Sequence, residues 1–188
     1  MFARVTYFHH NDSSFHHHHH QHHHLHQGPT DFSSEMPSVV IAVRPPCRAQ
    51  TRTLLAPPVV VQMSSDQCNS SAGIHFFTTA VLLDPSSGAV AEGLLEGTTA
   101  TTGVLVDVTT IIFAFPDLSI AAPGSYTMRL DVYGMYPHST DGATLIAQLE
   151  TDTISVGDDP VASHRPSSSE AAIIQLARNA GVPLSPPE

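Results

Sequence analysis

From Val39 onward the apolar positions fall in short runs, and the clearest of them repeat every second residue. Gly124–Tyr133 is the cleanest case: Tyr126, Met128, Leu130 and Val132 share one face, and Ser125, Thr127, Arg129 and Asp131 the other. Period two is the signature of a half-buried strand. VVIAV (39–43), PVVVQM (58–63), GTTATTGVLVDV (97–108) and TIIFAF (110–115) are rich in Val, Ile and Thr, which suit a pleated surface better than a helix. IHFFTTAVLL (74–83) is apolar on both faces, which predicts a strand covered on each side. DPSSG (84–88) closes it with a turn. In ATLIAQLETDTISV (143–156) the apolar parity shifts between Leu149 and Ile154, which predicts a β-bulge around Thr151–Asp152.

Two stretches break the alternation. FAFPDLSI (113–120) predicts a strand that stops at Pro116, whose nitrogen donates no hydrogen bond. Asp117 and Ser119 then cap the freed backbone of the corner, Leu118 and Ile120 return to the core, and Gly124 turns the chain into the next strand. SSSEAAIIQLARNAG is the one helical pattern, with a capping-box pattern from Ser167 to Glu170 (Ser168 and Ser169 being the alternative caps), a stripe of Ile173, Leu176, Ala177 and Ala180, and Gly181 as its stop. About seven short strands and one terminal helix predict an all-β fold, a β-sandwich with a C-terminal α-helix.

Composition divides the chain further. Residues 1–38 are low in complexity, and eleven of the 14 histidines lie between His9 and His26. This predicts a disordered His-rich tail, able to chelate transition metals only unselectively. The globular part is 39–184, and 185–188 is a short C-terminal tail. Charged residues make up 13%, about half the usual ~25%. All seven basic residues are Arg, against seventeen carboxylates, for a formal charge of −10. Such a field opposes non-specific binding to nucleic acid or to an anionic membrane. Full protonation of the histidines would carry the charge from −10 to +4, so it is pH-sensitive near pH 6.5.

No apolar run reaches the ~18–20 residues of a membrane span, and MFARVTYFHH lacks the apolar core of a secretory signal. Cys47 and Cys68 have no zinc-site spacing; they read as reduced thiols, with a disulfide as the alternative. No GxSxG, HExxH or P-loop is present, and His75, His138 and His164 have no catalytic arrangement around them. The chain reads as no enzyme, with no cofactor and no metal site.

Five ordered blocks carry a more specific signal: RPPCRAQ (44–50), LAPPVVVQM (55–63), FAFPDLSI (113–120), GSYTMRLDVY (124–133) and EAAIIQLARNAGVPL (170–184). Together they resemble the fungal velvet domain over about residues 39–184. The resemblance implies an immunoglobulin-like sandwich similar to the Rel-homology DNA-binding domain. It implies a nuclear regulator of development, sporulation and secondary metabolism that binds DNA as a homo- or heterodimer with other velvet proteins. One member of that family also bridges to a methyltransferase-like regulator.

The family's DNA-contacting loop follows the first strand, and here it offers Arg44, Arg48 and Arg52. Guanidinium groups grip phosphate bidentately or read guanine. The sequence departs from the family pattern at Cys47 and Gln50, where basic residues are usual, and has no Lys. The alternative expectation is therefore a velvet-fold dimerisation partner or adaptor with little direct DNA contact. Arg129 reads as one half of a cross-strand ion pair.

Overall fold

A computed structural model of the protein describes residues 5–7, 37–65, 73–137, 140 and 142–184. Along the chain run β1 (Val5–Tyr7), β2 (Ser38–Val43), β3 (Arg48–Gln50), β4 (Val59–Ser64), β5 (His75–Leu83), β6 (Leu95–Glu96) and β7 (Ala100–Thr102). They are followed by β8 (Val104–Asp107), β9 (Thr110–Phe115), β10 (Ser119–Ile120), β11 (Gly124–Met135), β12 (Ala143–Glu150), β13 (Ile154–Gly157) and α1 (Ser168–Asn179). The architecture is the expected all-β sandwich with one C-terminal helix.

One sheet has the order β2-β4-β9-β8, all antiparallel. The other is built around β11. Along one side β11 pairs with β5, which continues to β7. Along the other side it pairs first with β13 and then with β12, each of which carries a further short strand: β3 on β13, parallel, and β1 on β12, antiparallel. A two-stranded ribbon of β6 and β10 closes one end.

The inner faces meet in a core that includes Val39, Val59, Val61, Met63, Phe113 and Phe115 from one sheet and Leu82, Met128, Leu130, Val132 and Leu149 from the other. The Tyr126/Met128/Leu130/Val132 face of β11 points inward as its alternation predicts. Each fully buried large apolar side chain contributes ~1.5–3 kcal/mol.

Two-sided burial falls on β9, all six residues of which are buried, and not on β5. The reason is the helix. α1 lies on the outer face of the four-stranded sheet, and Ile174, Ala177 and Val182 pack on Val43, Val60, Ile112 and Ala114. No helix among the described residues covers the outer face of β5, where Phe77 instead stacks on Tyr133 at 5.1 Å between ring centroids. Of the expected stripe, Ala177 is buried and Ile173 and Ala180 pack partly against the same cluster, whereas Leu176 is 37% exposed and Ile174, outside the stripe, is buried in its place.

Val5–Tyr7 is a strand where the sequence predicts an unstructured tail. Its three residues join the ladder through backbone pairing with Ala147–Leu149, which composition does not encode. The histidine tract, His138 and Cys68 lie outside the described residues.

β7 and β8 are one chain passing from sheet to sheet, and Gly103 is the crossing point, its N–H donating to the Phe76 carbonyl at 3.0 Å. A Cβ at Gly103 would overlap Ile111 Cγ2 and lie 2.7 Å from Phe113 Cε1. Gly103→Ala is expected to destabilise the fold by about 1–3 kcal/mol in urea unfolding, as overpacking of a tight core does. The fully buried Thr78 hydroxyl has no hydrogen-bond partner among the described residues. Thr78→Val, which removes that unpaired group at nearly constant shape, is expected to leave stability unchanged or raise it by roughly 1 kcal/mol in the same assay.

Candidate nucleic-acid interface

The segment between β2 and β4 carries all three arginines singled out from the sequence. It is pinned on both sides. Ser155 donates its N–H to the Cys47 carbonyl at 2.9 Å, β3 runs parallel to β13, and Thr51 sends both its N–H and its hydroxyl to the Gly157 carbonyl at 2.8 and 3.1 Å. From the other side the Pro116–Ile120 corner takes over: Arg52 N–H donates to the Ile120 carbonyl and Leu55 N–H to the Leu118 carbonyl, both at 2.8 Å. Leu54 bridges to Ser119, and the buried Ala49 and Leu55 anchor the segment in the core. The prolines keep the chain out of a regular ladder, while these contacts satisfy its backbone.

The corner has a different internal logic from the one its sequence suggests. Leu118 and Ile120 are buried as expected. Asp117 does not cap its own turn but the loop opposite, accepting from Thr98 N–H at 3.0 Å and from the Thr98 hydroxyl at 2.8 Å. Ser119 donates to Glu96 Oε2 at 3.3 Å. Gly124 is required by close approach, since a Cβ would lie 2.7 Å from Tyr126 Oη, the hydroxyl that donates to the Pro123 carbonyl at 3.2 Å. The corner is thus the wall against which the arginine segment rests.

The three guanidinium groups stand differently. Arg48 and Arg52 are exposed and make no ion pair among the described residues. Arg52 holds a left-handed backbone at φ 56°, a costly conformation for a residue with a Cβ, sustained here by the hydrogen bond to Ile120. Arg44 is engaged twice: its guanidinium Nη1 meets Asp152 Oδ2 at 2.7 Å, and its backbone N–H donates to Glu170 Oε1 at 3.2 Å. The Gln50 amide donates to the Asp158 carbonyl at 3.2 Å, so the segment is flanked by Asp152, Asp158 and Glu170. The two carboxylate partners of Arg44, Asp152 and Glu170, lie more than a hundred residues from it in sequence, and only the folded chain brings them together. Cys47, exposed, is a free thiol in the same segment.

Arg129 forms its ion pair along its own strand and not across the ladder: Nη2 meets Asp131 Oδ2 at 3.2 Å, and the nearly buried Asp131 also accepts from Gln148 Nε2 at 2.7 Å. Arg178 lies in the last turn of α1, where a cation complements the helix dipole, and Arg165 lies in the exposed approach to α1. His75 is exposed at the start of β5. No group of three or more His, Cys, Asp or Glu able to hold a metal occurs among the described residues, and none of their helices is long and apolar enough to cross a membrane.

The start of α1 closes the site. Ser167 and Glu170 form the capping box that the sequence predicts, and Val182 N–H to the Ala177 carbonyl with Gly181 N–H to the Arg178 carbonyl ends the helix at Gly181. Partial burial raises the Glu170 pKa, but hydrogen bonds from Ser167 N–H, the Ser167 hydroxyl and Arg44 N–H, with the charge of His164, outweigh it and hold the carboxyl below its ordinary value. One carboxylate thereby caps the helix and ties it to the end of β2.

No family model matches the chain, and no curated protein matches it at a significant level. Among solved structures the chain is similar to AggA, the major subunit of aggregative adherence fimbriae type I from Escherichia coli, at 14% identity and a TM-score of 0.36, over 72% of this chain and 100% of that chain.

A carboxyl held below its ordinary pKa in the folded state stabilises the fold fully above the unfolded value, about 4.3, and loses that contribution as pH falls through the folded value. Wild-type stability is therefore expected to drop below pH ~4 partly through Glu170, and Glu170→Gln to flatten that part of the pH profile in urea titrations. Ser167→Ala is expected to cost about 1 kcal/mol at pH 7, the usual loss for an N-cap.

Proposed function

We propose that the chain is a velvet-type transcription regulator, not an enzyme, that contacts DNA through Arg44, Arg48 and Arg52 as a homo- or heterodimer with other velvet proteins. Its place would be the nucleus, in the control of fungal development, sporulation and secondary metabolism. The five ordered sequence blocks support the family reading, together with its immunoglobulin-like, Rel-homology-like form of the sandwich. The observation that carries the DNA reading is the pinned segment from Arg44 to Leu55, which holds Arg48 and Arg52 exposed on a backbone fixed from two sides. A fixed backbone lowers the ordering cost of a contact, and an exposed guanidinium is free to take a phosphate.

A specific observation favours a second reading, in which the chain is chiefly the dimerisation partner of a more basic velvet protein. Arg44 is already paired with Asp152, and the formal charge is −10. Three arginines neutralise at most about three phosphates, a slope of log K against log salt near −2.7 per protomer and roughly −5 for a dimer. That is modest.

An electrophoretic shift series on promoter DNA at 50–200 mM salt, with the chain alone and with a basic velvet partner, separates the two. Binding by the chain alone, with a slope near −5, lost in Arg48→Ala and Arg52→Ala and strengthened in Asp152→Asn, is the expected result. A shift only in the partner's presence, unaltered by those arginine variants, establishes the second reading. No shift in either condition and no complex with a velvet protein overturns both.

A further inference from the structure

We propose that Ser167 is the acceptor for a serine kinase that reads a carboxylate three residues beyond its target, and that its phosphorylation unfastens α1 from the end of β2. Kinases select substrates through such charge patterns. Three serines, and no threonine, have an acidic residue at that spacing: Ser155 before Asp158, Ser167 before Glu170 and Ser185 before Glu188. Ser185 lies outside the described residues. The fold separates the other two. Ser155 is locked inside the larger sheet, paired with Ser125 on one side and Arg48 on the other, its N–H on the Cys47 carbonyl at 2.9 Å. A kinase could take it only by breaking two ladders. Ser167 ends a stretch, residues 158–167, that is exposed throughout and belongs to no helix or strand. Its own backbone is extended, at φ −60° and ψ 166°, whereas Ser168 and Ser169 already lie in the helix.

What phosphorylation would do follows from the present bonds of the hydroxyl. Ser167 Oγ donates to Glu170 Oε2 at 2.8 Å and accepts the Glu170 N–H at 3.3 Å, while Glu170 Oε1 accepts the Arg44 N–H at 3.2 Å. Opening this cap costs about 1 kcal/mol, and a helix end is among the parts of a fold that open most readily. In the transfer Ser167 Oγ attacks the γ-phosphorus of a Mg²⁺-bound nucleoside triphosphate and the bond from that phosphorus to the β–γ bridging oxygen breaks. The nucleoside diphosphate leaves, and the hydroxyl proton passes to the kinase's base. The product has no proton on Oγ to give to Glu170, and it sets a charge of about −1.5 to −2 beside that carboxylate. A phosphate oxygen still accepts the Glu170 N–H, so the helix keeps a cap. The Glu170 side chain is repelled and lets go of Arg44. Arg165, exposed and without an ion pair among the described residues, stands two residues before the new dianion as its counter-charge. None of this rests on the DNA reading.

The test incubates the full-length chain with MgATP and the catalytic subunit of an acid-directed serine kinase and maps phosphate by peptide mass spectrometry. Backbone amide exchange is then compared between the phosphorylated and the unmodified chain. Phosphate is expected on Ser167 and not on Ser155, with incorporation at least about tenfold slower in Glu170→Gln, which keeps the size of the side chain and removes its charge. In the phosphorylated chain the Arg44 amide is expected to exchange at least about tenfold faster, while the amides of Arg52 and Leu55, held by Ile120 and Leu118, stay as they were. Those two amides distinguish release of the helix start from loss of the fold. No phosphate on Ser167, or equal labelling of Ser155, overturns the proposal. So does a Glu170→Gln chain phosphorylated as fast as the unaltered one, an Arg44 amide whose exchange does not change, or acceleration of all three amides alike.

Discussion

One threonine holds the seam on which the larger sheet and its edge depend. β11 must pair with β12 and then with β13 along a single side, and the two partners are out of step by one residue. Between them Thr151 takes both halves of the exchange with Met128: its N–H donates to the Met128 carbonyl, and its hydroxyl accepts the Met128 N–H, each at 2.9 Å. A side-chain oxygen stands where a backbone carbonyl would be, and the buried donor is not left unpaired. The consequence reaches the surface. The extra residue lets β13 turn its free side to β3, and it leaves Asp152 beside Arg44.

That seam was legible as a change of parity between Leu149 and Ile154, because a strand that keeps its side chains on one face cannot shift by one without a bulge. The alternation of β11 and the Ser167–Glu170 capping box were legible for the same reason: each is a local pattern whose physics lies within a few residues. What lay beyond reach was set by neighbours distant in sequence. Nothing within TIIFAF or HFFTTAVLL says which of the two a helix will cover, so two-sided burial was expected for β5 and occurs in β9. The exchange of Leu176 for Ile174 on the buried face of α1 has a related reason: Ile174 meets the surface around Val60 and Ile112, which the pattern of α1 alone does not contain.

At the arginine segment the same limit applies to charge. The sequence identifies Arg44, Arg48 and Arg52 as equivalent, separated by four residues each. The fold makes them unequal. Arg44 gives its guanidinium to Asp152 at the surface, where 40% and 59% of the two side chains remain exposed, so the pair is worth at most ~1 kcal/mol and yields readily to a stronger anion. Arg52 owes its position to backbone contacts with the corner, and Arg48 to the parallel pairing of β3.

Glu170 gives this asymmetry a direction. The capping box and the Arg44 backbone use opposite oxygens of one carboxylate, so the start of α1 and the end of β2 are held by the same group. Among the described residues α1 itself buries only Ile174 and Ala177, with Val182 beyond it, a small apolar footprint beside the core between the sheets. Its docking is therefore the weaker of the two packings and leans on Glu170 more than the sheets do. A perturbation at the helix start is transmitted to Arg44 before it is felt at Arg48 or Arg52, whose supports lie on β13 and on the Pro116–Ile120 corner. The arginine segment is thus divided: one end follows the helix, and the other is as rigid as the sandwich.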